Sequence, residues 1–226
     1  MTIYDNCYLN NVSFNIYYNS TCGDENRTSC ETAWGGGSVY VDTPDMAMMG
    51  VARHTDHFQG QDVFYKQAAA GTLPQFSFIN PPSEACDHPC HDMAKGERLL
   101  KDVYEGVRNG PKWSKTLMLV MYDDWGGTYD HVVPPTEGVP DDEAPCNVPK
   151  EPNSDISCSG FDFKRLGLRS TAMVISPWVK KASIIQEPQA GPYNTSQWEH
   201  SSASSTIKNL FNLSTFLTKR DAWAGT

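Results

Sequence analysis

Hydrophobic and polar positions alternate along Val12–Tyr18 (VSFNIYY), and the run is β-branched and aromatic, which predicts a strand. Cys22–Gly37 is polar and glycine-rich and reads as a loop. His57–Ala70 has helical character and ends at Gly71; Pro74–Ile79 (PQFSFI) reads as a short strand stopped by Asn80-Pro81-Pro82. Pro82–Asp92 is irregular. In Met93–Arg108, Leu99, Leu100, Val103, Tyr104 and Val107 fall on one face of a helix, closed by Asn109-Gly110. Thr116–Tyr122 (TLMLVMY) is the most apolar short run in the chain. Its length and flanks predict a strand buried on both faces, as in a parallel sheet. Thr136–Phe163 is rich in Pro, Asp, Asn and Ser and reads as a long surface insertion. Ser170–Ile175 is a further strand, ended by Ser176-Pro177-Trp178, and Ser201–Leu213 a helix with Ile207, Leu210 and Phe211 among its apolar positions. Strands separated by helices predict an α/β fold with a mainly parallel sheet sandwiched by helices.

The chain has 226 residues, enough for one sizeable domain. Hydrophobic residues make up 39% and charged residues 20%, a balance that supports a packed core. The formal net charge of −9 argues against a non-specific nucleic-acid binder, which needs a basic face to displace counterions. It leaves room for an anionic substrate, because a metal ion reverses the local field. No apolar run approaches the roughly 20 residues that span a bilayer, and the opening MTIYDNCYLNNVSF does not read as a signal peptide.

Seven cysteines are present. Cys22 with Cys30, Cys86 with Cys90 and Cys146 with Cys158 are plausible local disulfides, leaving Cys7 over. Asn-X-Ser/Thr sequons occur at Asn11, Asn19, Asn26, Asn194 and Asn212. Cysteines in polar loops together with sequons point to a secreted glycoprotein.

Ligands of an open parallel sheet collect at the carboxyl ends of its strands. Asp123 and Asp124 follow the most buried candidate strand, and Asp87 and His88 follow the PQFSFI strand. Paired carboxylates with imidazoles suit a hard or borderline divalent cation. Gly126-Gly127 permits a tight turn, and Asp130-His131 could return a second polar pair. A cation neutralises charge on a phosphoester, and a histidine could donate a proton to the leaving oxygen. The same residues have plainer readings: Asp-Asp-Trp-Gly-Gly is good turn chemistry, Glu199-His200 suits a helix entry, and Arg220 with Asp221 suits a surface pair. CDHPCH (Cys86–His91) offers a small zinc loop, but with no second Cys/His pair at a suitable distance a disulfide bracing His88 fits better.

The stretch Tyr122-Asp123-Asp124-Trp125-Gly126-Gly127-Thr128-Tyr129-Asp130-His131-Val132-Val133-Pro134-Pro135 resembles the hallmark of the phosphoesterase family of non-specific phospholipases C and related acid phosphatases. GTLPQFSFINP, DHP with the helix after it, GLRSTAMVISPWV, QWEHSSASSTIKNLF and LTKRDAWA resemble further family blocks in family order. The resemblance implies a fold like the alkaline phosphatase superfamily. It implies Asp123 and Asp124 as metal-site carboxylates, and His88 and His200 lining a phosphate pocket. His131 is a third catalytic candidate, with Asp87, Glu199 and Asp130 as supporting polar groups. The implied cofactor is a divalent metal ion. The implied substrate is a phospholipid or phosphomonoester, with peripheral membrane contact through a lipid substrate.

Two departures stand out. Asp124 takes the place of the family's glutamate and Trp125 that of a histidine. The family's opening Glu-Asn metal motif and the nucleophile beyond it have no counterpart: Glu25-Asn26-Arg27-Thr28 lies in a polar loop with the wrong flanks. Residues 1–226 are therefore expected to form a partial phosphoesterase domain with impaired turnover and no nucleophile of their own. The alternative is a non-catalytic module that holds phosphate or a lipid headgroup.

Overall fold

The computed structural model describes residues 1–18, 53–82, 85–89, 91–141, 163–186, 188 and 191–226. The loop Cys22–Gly37, the sequons at Asn19 and Asn26, the Glu25–Thr28 motif, most of the 136–163 insertion, and Cys22, Cys30, Cys90, Cys146 and Cys158 lie outside the described residues.

The chain forms two compact units: Met1–Val120 with Met173–Lys181, and Met121–Ala172 with Ala182–Thr226. In the first, α1 (Ile3–Leu9) leads into β1 (Phe14–Tyr18); β2 (Phe58–Gly60), α2 (Gln61–Ala70), β3 (Phe76–Asn80) and α3 (Met93–Arg108) follow. β1 is the centre of a three-stranded sheet of order β2-β1-β3, parallel throughout. Ile16 pairs with Phe58 on one side and Phe78 on the other; Tyr17 pairs with Gln59 and Ile79. Because side chains alternate across a strand, the sheet has two apolar faces. On one, Tyr4 of α1 meets the rings of Phe14, Phe76 and Phe78 at 5.6, 6.1 and 6.2 Å. On the other, Tyr17 clusters with Phe64 of α2 and with Val103 and Val107 of α3. The expected α/β architecture, a parallel sheet between helices, is what forms.

Several elements match their sequence signals closely. Met93–Arg108 is helical over the residues expected, with Asp92 Oδ1 accepting the Ala94 amide at 3.0 Å as its cap. Gly71 ends α2 in the left-handed conformation (φ 70°), where the absence of Cβ removes the steric cost. The expected helix over 57–70 starts later: Thr55–His57 is a 3₁₀ turn and Phe58–Gly60 is drawn off as an edge strand by pairing with β1. The sequence reading assigned no helix to Ile3–Leu9. Thr2 and Asp5 close a capping box at its start, and Asn11 (φ 56°) ends it, with the Val12 amide reaching back to Cys7 O at 2.9 Å.

β4 (Met118–Met121) pairs with β5 (Ala172–Ile175) in a separate two-stranded sheet. Here the expectation of a strand buried on both faces is corrected. Met118 packs on the Tyr17 core, whereas Leu117 and Leu119 are 46% and 41% exposed. One side of this small sheet lies on the core and the other faces outward.

In the second unit, α4 (Ser201–Leu210) and α5 (Lys219–Trp223) pack together. α4 stops at Leu210, which is exposed. Asn212 (φ 51°) turns the chain, the Leu213 amide returns to Lys208 O at 2.9 Å, and Leu213 is buried. Ser196 Oγ donates to Trp223 O at 2.6 Å, and Trp223 Nε1 donates to Thr195 Oγ1 at 3.0 Å. The reading of Arg220 and Asp221 as a surface pair is overturned. Asp221 is 2% exposed and accepts the Leu217 and Thr218 amides at 2.8 and 2.6 Å, capping α5. Arg220 turns instead to Phe163 O at 2.6 Å and to Glu199 Oε2 at 3.7 Å.

Candidate functional site

The second unit gathers most of the candidate residues. The Tyr122 amide donates to Thr171 O at 3.1 Å, the last such tie before Asp123 and Asp124 leave the strand. Both carboxylates are exposed. Asp124 Oδ1 accepts the Gly126 amide at 2.6 Å, closing a short turn. Gly126 and Gly127 follow with φ of 65° and 73°, successive left-handed residues that only glycine adopts freely.

His200, at the entry to α4, returns to this point. Its Nε2 lies 2.9 Å from the Tyr122 carbonyl oxygen and 3.1 Å from Ser170 Oγ. A carbonyl oxygen only accepts, so Nε2 carries the hydrogen and Nδ1 is the nitrogen left to take or give a proton. Glu199 is a helix entry, as its plainer reading has it. Its Oε1 accepts the Ser201 amide at 3.1 Å and the Ser201 hydroxyl, while its own amide donates to Ser202 Oγ at 3.1 Å. The Arg220 contact fixes the far carboxylate oxygen. Glu199 thus holds the turn from which His200 projects.

Asp130 is held by Arg169, which the sequence reading missed. Nε and Nη2 of Arg169 donate to Oδ2 and Oδ1 of Asp130 at 2.8 and 2.7 Å, and the Val132 amide adds a third bond at 3.1 Å. The Arg169 hydrogen bonds hold the Asp130 carboxyl well below the usual carboxylate range, and Asp130 raises the Arg169 guanidinium in return. Arg169 precedes Ser170, the residue at His200 Nε2, so the fork also anchors one partner of the histidine. His131 projects outward, 79% exposed, with Nδ1 3.8 Å from Asp130 Oδ1.

Asp87 and His88 belong to the first unit. Asp87 takes a left-handed conformation (φ 61°) and its carboxylate seats against Gly96 of α3, where a Cβ would collide with it. His88 is exposed with Nδ1 3.0 Å from Pro89 O, and its ring lies 6.1 Å from that of His91. Cys90 lies outside the described residues, so the pairing expected for Cys86 does too.

Carboxylates at a strand end are the right donor type for a divalent cation. Their number falls short: Asp123 and Asp124 are two residues, and among the described residues no three His, Cys, Asp or Glu side chains converge on a common point. A second polar cluster sits elsewhere. Asp5 accepts from Arg53 Nη2 at 2.8 Å and lies 2.9 Å from His54 Nε2, beside an open cavity of about 570 Å³. His57 Nδ1 reaches Phe14 O at 2.8 Å, so this cavity is at the amino end of β1, away from the strand ends where ligands gather.

The phosphoesterase family model matches residues 1–214. The chain is 43% identical to non-specific phospholipase C6 of Arabidopsis thaliana over 172 residues, which is 72% of this chain and 31% of that protein. It is 37% identical to non-specific phospholipase C1 of the same plant over 238 aligned residues, 100% of this chain and 39% of that protein. Hemolytic phospholipase C of Pseudomonas aeruginosa is 32% identical over 130 residues, covering 57% of this chain and 18% of that protein. Residues 1–226 thus span about a third of the length of the curated plant relatives they match. The family model, these relatives and the Asp123–His131 turn agree, and the chain belongs to the phosphoesterase family.

Proposed function

We propose that this chain carries part of the active site of a phosphoric ester hydrolase acting on phospholipids or phosphomonoesters with a divalent cation. The observation that carries the reading is the bond between His200 Nε2 and the Tyr122 carbonyl, which brings an imidazole to the peptide preceding Asp123. Asp123 and Asp124 would hold the cation together with donors beyond those described. The cation, when bound, neutralises charge on the phosphoester oxygens. His200, its Nε2 hydrogen committed, offers Nδ1 to a phosphate or leaving-group oxygen. The Arg220–Glu199 and Arg169–Asp130 pairs fix the supports of that ring. His131 stands beside Asp130 as a reserve proton carrier; His88 and its neighbour Asp87 are phosphate-pocket candidates on the family resemblance alone. No residue of this chain is assigned as nucleophile, so weak or sub-stoichiometric turnover is expected.

Secretion and glycosylation belong to the same reading. They are supported by the exposure of the described sequon asparagines Asn11, Asn194 and Asn212. No helix among the described residues is long and apolar enough to cross a membrane; peripheral contact through a lipid substrate is part of the same proposal.

The test is cation titration by calorimetry alongside phosphate release from p-nitrophenyl phosphate. Asp123→Asn should weaken cation binding at least about tenfold. Asp62→Asn, at an exposed carboxylate paired with Lys66 at 2.7 Å, should leave it unchanged. Equal effects from both would remove Asp123 from the site, and multiple turnover at enzyme-like rates would show that a nucleophile is present. The presence of only two carboxylates at the strand end among the described residues favours one second reading, a non-catalytic module that holds phosphate. Phosphate binding that persists without cation and without turnover would select it.

A further inference from the structure

Gly96 is a buried glycine within α3, although glycine is among the least favourable residues inside a helix. The absence of a side chain there admits that of Asp87. A Cβ at residue 96 would collide with Asp87 Oδ1 and lie 2.5 Å from Cγ and 2.8 Å from Oδ2. The whole carboxyl group therefore occupies space that any other residue would fill. Asp87 has φ 61°, in the left-handed region that an L side chain adopts at a cost, and such residues persist where their surroundings hold them in place.

His88 is the next residue. Its Nδ1 lies 3.0 Å from Pro89 O, and a carbonyl oxygen only accepts, so Nδ1 carries a hydrogen and Nε2 is left to meet a ligand. Beyond it the His91 amide donates to His88 O at 3.0 Å, and Asp92 caps α3 through the Ala94 amide. The exposed imidazole of His88 thus stands between two attachments to one helix, Asp87 at Gly96 and Asp92 at Ala94.

We propose that Gly96 and Asp87 are positioning residues for His88. The notch at Gly96 receives the Asp87 carboxyl group and holds residue 87 left-handed. That sets the direction from which His88 Nε2 meets a phosphate, donating to its oxygen from the protonated ring or accepting from its P–OH on the neutral one. The seat stands on geometry; its consequence for phosphate rests on the reading of His88 as a phosphate-pocket residue.

The test follows the His88 ring nitrogens by nitrogen-15 NMR in wild type, Gly96→Ala, Asp87→Gly and the double variant, with and without inorganic phosphate. Gly96→Ala evicts the carboxyl group. The Nδ1-protonated form of His88 should then lose its predominance, and phosphate should shift the ring signals with at least about threefold weaker affinity. Asp87→Gly keeps a residue at home in the left-handed region but empties the notch, and should do the same. With nothing left to evict, adding Gly96→Ala to Asp87→Gly should change His88 no further. A His88 ring unaltered by either single variant would overturn the proposal. So would a Gly96→Ala effect of equal size in both backgrounds, which would run through the helix and not through the carboxyl group. If circular dichroism shows that Gly96→Ala does not fold, the comparison of Asp87→Gly with wild type decides by the same criterion. Wild-type signals that ignore phosphate, with the coupling between residues 87 and 96 intact, would remove His88 from the phosphate pocket and keep the seat.

Discussion

His200 Nε2 lies 2.9 Å from the carbonyl oxygen of Tyr122, 78 residues earlier in the chain. The bond ties the entry of α4 to the end of β4 and decides the tautomer of the ring, because a carbonyl cannot donate. Nitrogen-15 NMR of the neutral histidines should find His200 with its proton on Nε2. His200→Gln, whose amide nitrogen can still donate to Tyr122 O, should keep the thermal midpoint nearer wild type than His200→Ala. A ring protonated on Nδ1 with bare Nε2 would contradict the assignment.

Asp221 offers a sharper stability test. Buried and accepting two backbone amides and the Thr218 hydroxyl at 2.9 Å, it closes the capping box of α5. Asp221→Ala should cost roughly 1–2 kcal/mol in denaturant unfolding. Asp62→Ala, on an exposed helix face, should leave the denaturant midpoint close to wild type. A neutral Asp221→Ala would show that the cap contributes nothing.

Asp5 links stability to pH. Burial alone would raise its carboxyl; the hydrogen bonds from Arg53, Thr2 and His54 outweigh burial and hold it well below the usual carboxylate range. A depressed folded pKa means that the charged form is favoured in the folded state. The contribution is therefore fully present above the unfolded value, near 3.9, and is lost as pH falls below it toward the folded value. Asp5→Asn should lose its cap and ion pairs at pH 7, costing roughly 1–2 kcal/mol. The gap from wild type should narrow below about pH 4; a gap that widened there would reverse the sign argued here.

Cys7, the cysteine left over in the local pairing scheme, is fully buried in α1, and burial pushes its thiol up to about 11. Alkylation by iodoacetamide at pH 8 should leave Cys7 unmodified in the native protein, as peptide mapping would show, and modify it once the chain is unfolded. Rapid native labelling at Cys7 would mean that α1 does not stay packed on the sheet.

Arg169 separates sequence from structure most clearly within the site. Asp123, Asp124, Asp130 and His200 could be put forward from the sequence because a strand-ending run, two glycines and an ordered set of short motifs mark them. Arg169 carries no such mark, since its meaning comes from Asp130, 39 residues away, at the end of a bidentate fork. The same holds for Arg53 with Asp5 across 48 residues.

What the sequence by itself determined is local. The periodicity of Met93–Arg108, the left-handed glycine at residue 71, the alternation of Phe14–Tyr18 and the turn after Asp124 all follow from backbone sterics and from side-chain spacing along a few residues. Tertiary structure decided the rest. Phe58–Gly60 became a strand because β1 offered it hydrogen bonds, and Leu117 and Leu119 stayed outward because only one side of β4 meets the core. Asp221 is buried because α5 closes on the Leu217–Thr218 amides. Each outcome depends on which surface arrives opposite a residue, and a chain read in order does not contain that information.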